Sequence, residues 1–362
     1  MRIGYFSGDP LKLMEDCAIL QPTFFPSVPR LYNKIYGKLI DKFKEATGIK
    51  GSLINTAVSS KLAKLQSGGG FTHCLYDKIV FNKVKAMLGG KVKVMLTGSA
   101  PIDGKVLNML KICFCCPIIE GYGMTESSGG SLTTFPDDPE TGHVGGVLQN
   151  VKLRLRDIPE MNYYHTDPIP RGEIVFYGSS VMSGYFKNEE KSLEAFSDST
   201  TNTRKDGWMH SGDVGMVFPN GTVKIIDRAK NIFKLSQGEY IAPEKLENLY
   251  VQSEWVLQSW MYGDSLRDYV VGIVVVDPER LAKYAKEIGK EANDNTLLDD
   301  TLKQIVLADL HRLAKASEFN SLEKPKEIIL TREPFTIENN ILTPTMKLKR
   351  NICKEKFQTQ ID

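Results

Sequence analysis

The sequence predicts an α/β protein with a small β-rich stretch in its middle and an α+β module at its end, and three observations carry this expectation. Strand-like apolar runs alternate with amphipathic helical stretches through roughly the first third of the chain. Two of those runs, VKVMLT at 92–97 and PIIE at 117–120, end in small-residue turns at their carboxyl ends. Between residues 142 and 226 short strands follow one another with Gly and Asn-Gly turns, and helical periodicity returns after Asp227.

In order, PTFFPSVP at 22–29 reads as a strand or loop feeding an amphipathic helix over 30–45. The glycines at 68–70 read as a flexible joint, 76–88 as one helix, and 92–97 as a buried strand ending in GSAP at 98–101. The run ICFCCPII at 112–119 reads as a small buried strand, since zinc ligands come as two spaced pairs and none is present. Strands are expected at 151–155 and 172–177, with a hairpin at Asn220-Gly221. Beyond Asp227, residues 244–252 and 299–316 read as helices and Val270–Val276 as a core strand. The polar patch at 197–202 reads as a surface loop.

Composition narrows the function classes. With 46 basic and 44 acidic residues among 362, the net charge of +2 provides no field on the scale of a nucleic-acid binder. The longest apolar runs have the length of a strand, well short of the roughly 20 residues that cross a bilayer. The first residues lack a cleavable-signal pattern, so a cytoplasmic or cytosol-facing location is expected. Six cysteines without the paired spacing of a secreted scaffold are expected to be reduced thiols.

Four short stretches place chemistry-bearing side chains beside turns. GYGMTE at 121–126 offers an aromatic face, a hydroxyl and a carboxylate just after a strand. Those groups suit a base, a phosphate oxygen and a Mg²⁺ ion, which prefers hard oxygen ligands shared with phosphates. A plain glycine turn is the bland alternative. DGWMHSGD at 206–213 presents Asp213, suited to ribose hydroxyls, while His210 beside Trp208 reads as structural. In IDRAKNIFKLSQG at 226–238, Arg228 can donate to ribose or phosphate, against the bland reading of a solvated linker. LTPTMKLKR at 342–350 carries Lys347, against the bland reading of a basic tail.

Together and in this order, these stretches resemble the adenylate-forming (AMP-binding) superfamily and, within it, the long-chain fatty acyl-CoA synthetases. LTGSAP at 96–101, EGYGMTE at 120–126, WMHSGD at 208–213, IDR at 226–228 with Lys234, GEYIAPE at 238–244 and LTPTMK at 342–347 carry the resemblance. QPTFFPSVPR at 21–30 and the form of the last two motifs favour the long-chain subtype. The resemblance implies an adenylate-forming fold. Its large N-terminal domain is partial over 1–227, with an α/β subdomain and a small β subdomain over 142–226, and a small mobile α+β domain follows over 228–362.

The implied reaction has two steps, a fatty carboxylate attacking ATP to give acyl-adenylate and pyrophosphate, then capture of the acyl group by coenzyme A. Carried over by position, Gly98, Ser99 and Ala100 border adenine with Gly121, Tyr122 and Gly123, and Asp213 and Arg228 hold the ribose. Thr125 and Glu126 contact phosphate and Mg²⁺, Lys347 bridges carboxylate and α-phosphate oxygens, Lys230 is the hinge, and Gly238 lies on the coenzyme A surface. Peripheral membrane contact is in keeping with a fatty acid substrate. The family's Ser/Thr- and Gly-rich phosphate loop with a lysine is not found; SGGGF at 67–71 has neither the threonines nor the lysine. The resemblance therefore implies a chain that starts downstream of that loop, and its absence opens a second expectation, a non-catalytic scaffold or an inactive fragment that works in a protein assembly.

Overall fold

A computed structural model describes residues 2–5, 7, 12–196, 207–343 and 346–361. The patch at 197–202, Asp206, and Pro344 and Thr345 of the last motif lie outside the described residues. The chain divides into two compact units, Met1–Ser211 with Gly215–Ile225, and Gly212–Val214 with Ile226–Asp362.

The first unit opens with helix α1 (Leu13–Leu20), strand β1 (Phe24–Ser27) and helix α2 (Pro29–Glu45). Proline supplies the first residue of α2, where its missing N–H costs nothing. From that helix the Tyr32 hydroxyl donates to Phe25 O (2.8 Å) and Leu96 O (3.1 Å), fastening α2 across two strands. Helix α3 (Gly48–Gln66) follows, and a π-helical turn, Asp77–Phe81, leads into α4 (Asn82–Ala86). The expected single helix over 76–88 is thus broken in type. The glycines at 68–70 wrap the end of α3, with Gly69 N donating to Lys64 O (2.8 Å), and make a helix stop, not a free joint.

Strand β2 (Val94–Gly98), helix α5 (Gly104–Phe114) and strand β3 (Ile118–Met124) form a right-sized crossover, and β1, β2 and β3 pair in parallel. The Asp103 carboxylate accepts from Lys105 N (2.7 Å) and caps α5. Only the end of the cysteine run, Ile118 and Ile119, is therefore strand. Residues 112–114 close α5 because Val106, Leu107 and Leu110 set a helical burial rhythm, and Cys115 at φ 55° then turns the chain before Pro117. Tyr32, Phe81, Met95, Leu107 and Phe114 are buried in one core, each apolar side chain contributing about 1.5–3 kcal/mol.

Strand β4 (Gly129–Thr133) extends this sheet antiparallel to β3, and β5 (Gly146–Val147) pairs antiparallel to β4, giving the order β1-β2-β3-β4-β5. A second sheet, β6-β7-β8-β9, comprises β6 (Val151–Arg156), β7 (Arg171–Gly178), β8 (Met209–Val217) and β9 (Val223–Arg228), with helix α6 (Glu189–Phe196) between β7 and β8. Leu153 and Leu155 pair with Phe176 and Ile174 on its apolar face, while Lys152, Arg154 and Arg156 alternate on the other.

In the second unit β10 (Phe233–Lys234) and β11 (Tyr240–Ile241) form a hairpin ahead of α7 (Pro243–Tyr250). Strands β12 (Val256–Tyr262), β13 (Val270–Val276) and β14 (Pro325–Thr331) make a mixed sheet with β13 central, antiparallel to β12 and parallel to β14. Helices α8 (Pro278–Glu287), α9 (Asp294–Leu297) and α10 (Asp300–Ala316) lie between β13 and β14 in sequence, and α11 (Arg350–Ile361) closes the chain. The unbroken VVGIVVV run of β13 follows from cover on both faces. Val270, Val274 and Val276 pack with residues of α7 and α10, whereas Ile273 and Val275 pack with Trp260, Phe335 and Phe357.

GYGM at 121–124 is strand, not turn, because its glycines admit close backbone approach: a Cβ on Gly123 would sit 1.7 Å from Gly129 O. Gly123→Ala is expected to cost about 3 kcal/mol, read as a lowered urea midpoint at unchanged slope. A loss under about 0.5 kcal/mol would contradict this packing.

Candidate functional site

The first unit gathers its expected site residues at the carboxyl ends of β2 and β3. Parallel register sets Gly98 beside Gly121, so the loops after both strands start from one edge, where open α/β sheets take their ligands. A Cβ on Gly98 would come within 2.8 Å of Gly121 O, so only glycine fits. Next to it Ser99 stands at φ 73°, a left-handed conformation unusual for a residue with a side chain, and both Ser99 and Ala100 are exposed. Tyr122 is half-buried with its ring 6.0 Å from that of Phe176.

Thr125–Ser127 forms a single 3₁₀ turn after β3, with Thr125 exposed. Glu126 is held from two sides: its carbonyl accepts from Met182 N (2.7 Å), and its carboxylate accepts from the Tyr185 hydroxyl (2.8 Å). Burial, then the hydrogen bond and charge of Glu126, push the Tyr185 phenol up to about 12. Tyr185 is thus a site residue that motif reading missed, and no spacing signal links it to a carboxylate 59 positions away. Among the described residues no three His, Cys, Asp or Glu side chains cluster as a metal cage. A lone carboxylate fits Mg²⁺, which keeps waters and phosphate oxygens as its other ligands.

Below the loop edge, Glu120 is buried. Burial foremost, with Asp138 adding and Lys111 opposing, pushes its carboxyl up to about 8. His210 likewise reads as structural, its Nδ1 3.2 Å from a Glu173 carboxylate that Arg156 also engages at 3.0 Å. Trp208 packs 5.5 Å from Tyr177, under the Arg154 guanidinium at 4.4 Å.

The second unit assembles a different set. Ala229 N donates to Gly212 O (2.8 Å), which brings β9 against β8 and sets Arg228 Nε 3.6 Å from Asp213. Asp227 points the other way and is buried, accepting from Arg228 N (2.6 Å) and Glu244 N (2.9 Å). Burial and then the Glu244 charge push the Asp227 carboxyl up to about 7. Lys230 is exposed just beyond. Gly238 forms the tip of the β10–β11 hairpin, its N–H donating to Leu235 O (2.9 Å).

Lys347 lies in a tight loop that returns on itself. Its N–H donates to Thr343 Oγ1 (3.0 Å), its carbonyl accepts from Thr343 N (2.8 Å), and Leu342 bridges to Leu348. Three residues on, Arg350 makes a two-pronged ion pair with Glu247 of α7, NH1 to Oε1 at 2.9 Å and NH2 to Oε2 at 2.6 Å. Sequence reasoning also missed this pair, whose members are 103 positions apart. All six cysteines are free thiols, and no helix among the described residues is long and apolar enough to cross a membrane.

Two parallel strands whose small-residue ends lie side by side, with a tethered carboxylate just beyond one of them, give the first unit the kind of sheet edge at which open α/β folds take ligands. The family model described as "AMP-binding enzyme" matches residues 1–186, and the chain belongs to that family. It is 44% identical over 361 residues to long-chain-fatty-acid–CoA ligase 5 of Mus musculus, covering 99% of this chain and 51% of that protein. It is 43% identical to fatty acyl-CoA synthetase A of Dictyostelium discoideum, covering 100% of this chain and 54% of that one. The chain thus spans about half the length of the curated relatives it matches. Among solved structures, the adenylation domain of a carboxylate reductase from Mycobacterium chelonae superposes with a TM-score of 0.78 at 28% identity, over 98% of this chain and 48% of that one. The fold is accordingly that of an adenylate-forming enzyme, as the motifs led one to expect.

A carboxyl raised by folding contributes stability that is complete below its unfolded pKa and is lost as pH climbs through its folded value. For Glu120 that window runs from about 4 to about 8. Glu120→Gln is expected to match the parent near pH 5 and to exceed it at pH 9 by at least about 1.4 kcal/mol, the worth of one pKa unit, in urea titrations at both pH values. A constant difference across that range would refute the assignment.

Proposed function

We propose that this chain carries the chemistry of a long-chain fatty acid–CoA ligase, activating a fatty carboxylate with ATP to the acyl-adenylate and passing the acyl group to coenzyme A. The observation that carries the reading is the 42–44% identity, over essentially the whole chain, to proteins named as such ligases. In this reading Gly98, Ser99, Ala100 and Gly121 border the adenine, with the backbone too close at Gly98 for a side chain. Tyr122 offers its ring to the base, and Gly123 keeps the strand narrow behind it.

Asp213 accepts from the ribose hydroxyls while Arg228, already aimed at that carboxylate, donates to the same sugar. Thr125 donates to a phosphate oxygen. Glu126, whose carboxylate accepts from Tyr185, would hold the Mg²⁺ that accompanies ATP. Bound there, the ion would neutralise charge on the phosphates. Lys347 donates to the carboxylate and to the α-phosphate oxygen, where negative charge grows as phosphorus is attacked.

The 1–227 and 228–362 halves act as body and lid, with Lys230 at the hinge. Rotation there withdraws Lys347 after adenylation and turns Gly238 and the β10–β11 hairpin toward the thiol substrate. Support for the hinge comes from the position of Lys230, exposed and just past the last strand shared with the first unit.

Palmitate-dependent exchange of labelled pyrophosphate into ATP tests the reading. The chain is expected to catalyse exchange, and Lys347→Ala to reduce it about 100- to 1,000-fold, the effect of losing one preorganised donor. No exchange above background, with a folded chain, favours the scaffold reading instead.

A further inference from the structure

The Arg350–Glu247 pair is among the most buried ion pairs of the second unit, and nothing in the reaction as proposed uses it. Glu247 has both carboxylate oxygens on Arg350, and Oε1 accepts a further hydrogen bond from Met261 N of β12 at 2.8 Å. That carboxylate therefore ties together helix α7, strand β12 and the first residue of α11. Two more carboxylates face the same guanidinium electrostatically, Asp227 at the end of β9 and Glu244 at the start of α7. Asn231 Nδ2 donates to Glu244 Oε1 at 3.1 Å and sits 3.5 Å from Asp227 Oδ1, closing the ring of contacts beside Lys230.

A planar guanidinium meeting a carboxylate through two parallel hydrogen bonds fixes orientation as well as distance, which a lysine in its place would not. Breaking such a pair leaves a buried charge uncompensated. Only two residues, Leu348 and Lys349, separate Arg350 from Lys347. Between them Lys349 N donates to Ile341 O (2.8 Å), and its Nζ bonds Asn340 Oδ1 (2.5 Å). The loop bearing Lys347 is thus closed on itself at one end and clamped to α7 at the other.

We propose that Arg350 is a positioning residue for Lys347: its fork on Glu247 locks the lysine-bearing loop to α7 and to the hinge-side end of β9, so that lysine and hinge move as one rigid body. The proposal rests on the role given to Lys347 above. It makes a specific demand on the two half-reactions, because only acyl-adenylate formation needs Lys347 in place. Loosening the clamp slows adenylation and spares thioester formation from preformed acyl-adenylate.

Arg350→Lys keeps the charge and removes the fork, and Glu247→Gln keeps the shape and removes the charge, so at least one folded variant is secured. Two readouts are taken on each and on the double variant. Amide hydrogen exchange is expected to speed up at least 10-fold at residues 342, 347 and 349, while amides of β13 and α10 keep the parent rate. Palmitate-dependent pyrophosphate exchange is expected to lose 10- to 100-fold in kcat with KM for ATP within twofold, and thioester formation from synthetic palmitoyl-adenylate to change less than threefold. The double variant is expected to be no worse than either single one. Parent-like amide exchange around Lys347 overturns the clamp, whether or not the chain is active. Loosened amides with unchanged kcat, or equal losses in both half-reactions, overturn the positioning role. If the parent chain gives no pyrophosphate exchange, the functional reading fails while the amide measurement still decides the clamp.

Discussion

The close approach of two parallel backbones at Gly98 and Gly121 is the constraint on which the first unit turns. Strands β2 and β3 reach the sheet edge with no room for a side chain between them. The GSAP turn after β2 consequently starts beside the GYGM end of β3, which runs on as strand to Met124 before the 3₁₀ turn. Everything else in that unit serves this register. Tyr32 bonds carbonyls of β1 and β2, α5 packs its apolar face beneath them, and β4 seals β3 on its far side. A side chain at Gly98 would collide with the Gly121 carbonyl and force the strands apart, whereas Gly121 itself has room for one.

The second unit solves a problem of charge where the first solves one of space. Three carboxylates, Asp227, Glu244 and Glu247, converge on one guanidinium, and Asp227 and Glu247 are buried. Burial lowers the pKa of Arg350, yet the carboxylates, Glu247 foremost, outweigh it and raise it overall. The surplus negative charge is relieved at Asp227, whose carboxyl is pushed up to about 7 by burial and by Glu244. Such a cluster contributes little net stability compared with an apolar one, but it accepts only one arrangement of its members. That selectivity accords with the role proposed for Lys347.

Much of this was legible in the sequence because local chemistry and fold agree there. Pro29 after an extended Val28 announces α2, the VVGIVVV run announces a strand covered on both faces, and the turn glycines mark the β-rich middle. Where the reading failed, a nonlocal contact had decided the outcome. The cysteine run looks like a strand, but the Asp103 cap and the helical burial of 106–110 carry α5 into it. GYGM looks like a turn, but Gly129 and Gly130 across the sheet extend it as strand. Tyr185 on Glu126 and Arg350 on Glu247 were invisible for the same reason, since pairs 59 and 103 positions apart leave no periodic trace. The motif residues themselves were found by their order along the chain, which local propensity does not encode.

The most direct test of the account is calorimetric titration of the chain with a non-reactive acyl-adenylate mimic, palmitoyl-sulfamoyl-adenosine. The account predicts saturable one-to-one binding that weakens at least 10-fold when Asp213 is changed to Ala, because the ribose loses its acceptor. No binding to a folded chain, or binding indifferent to Asp213, would contradict it.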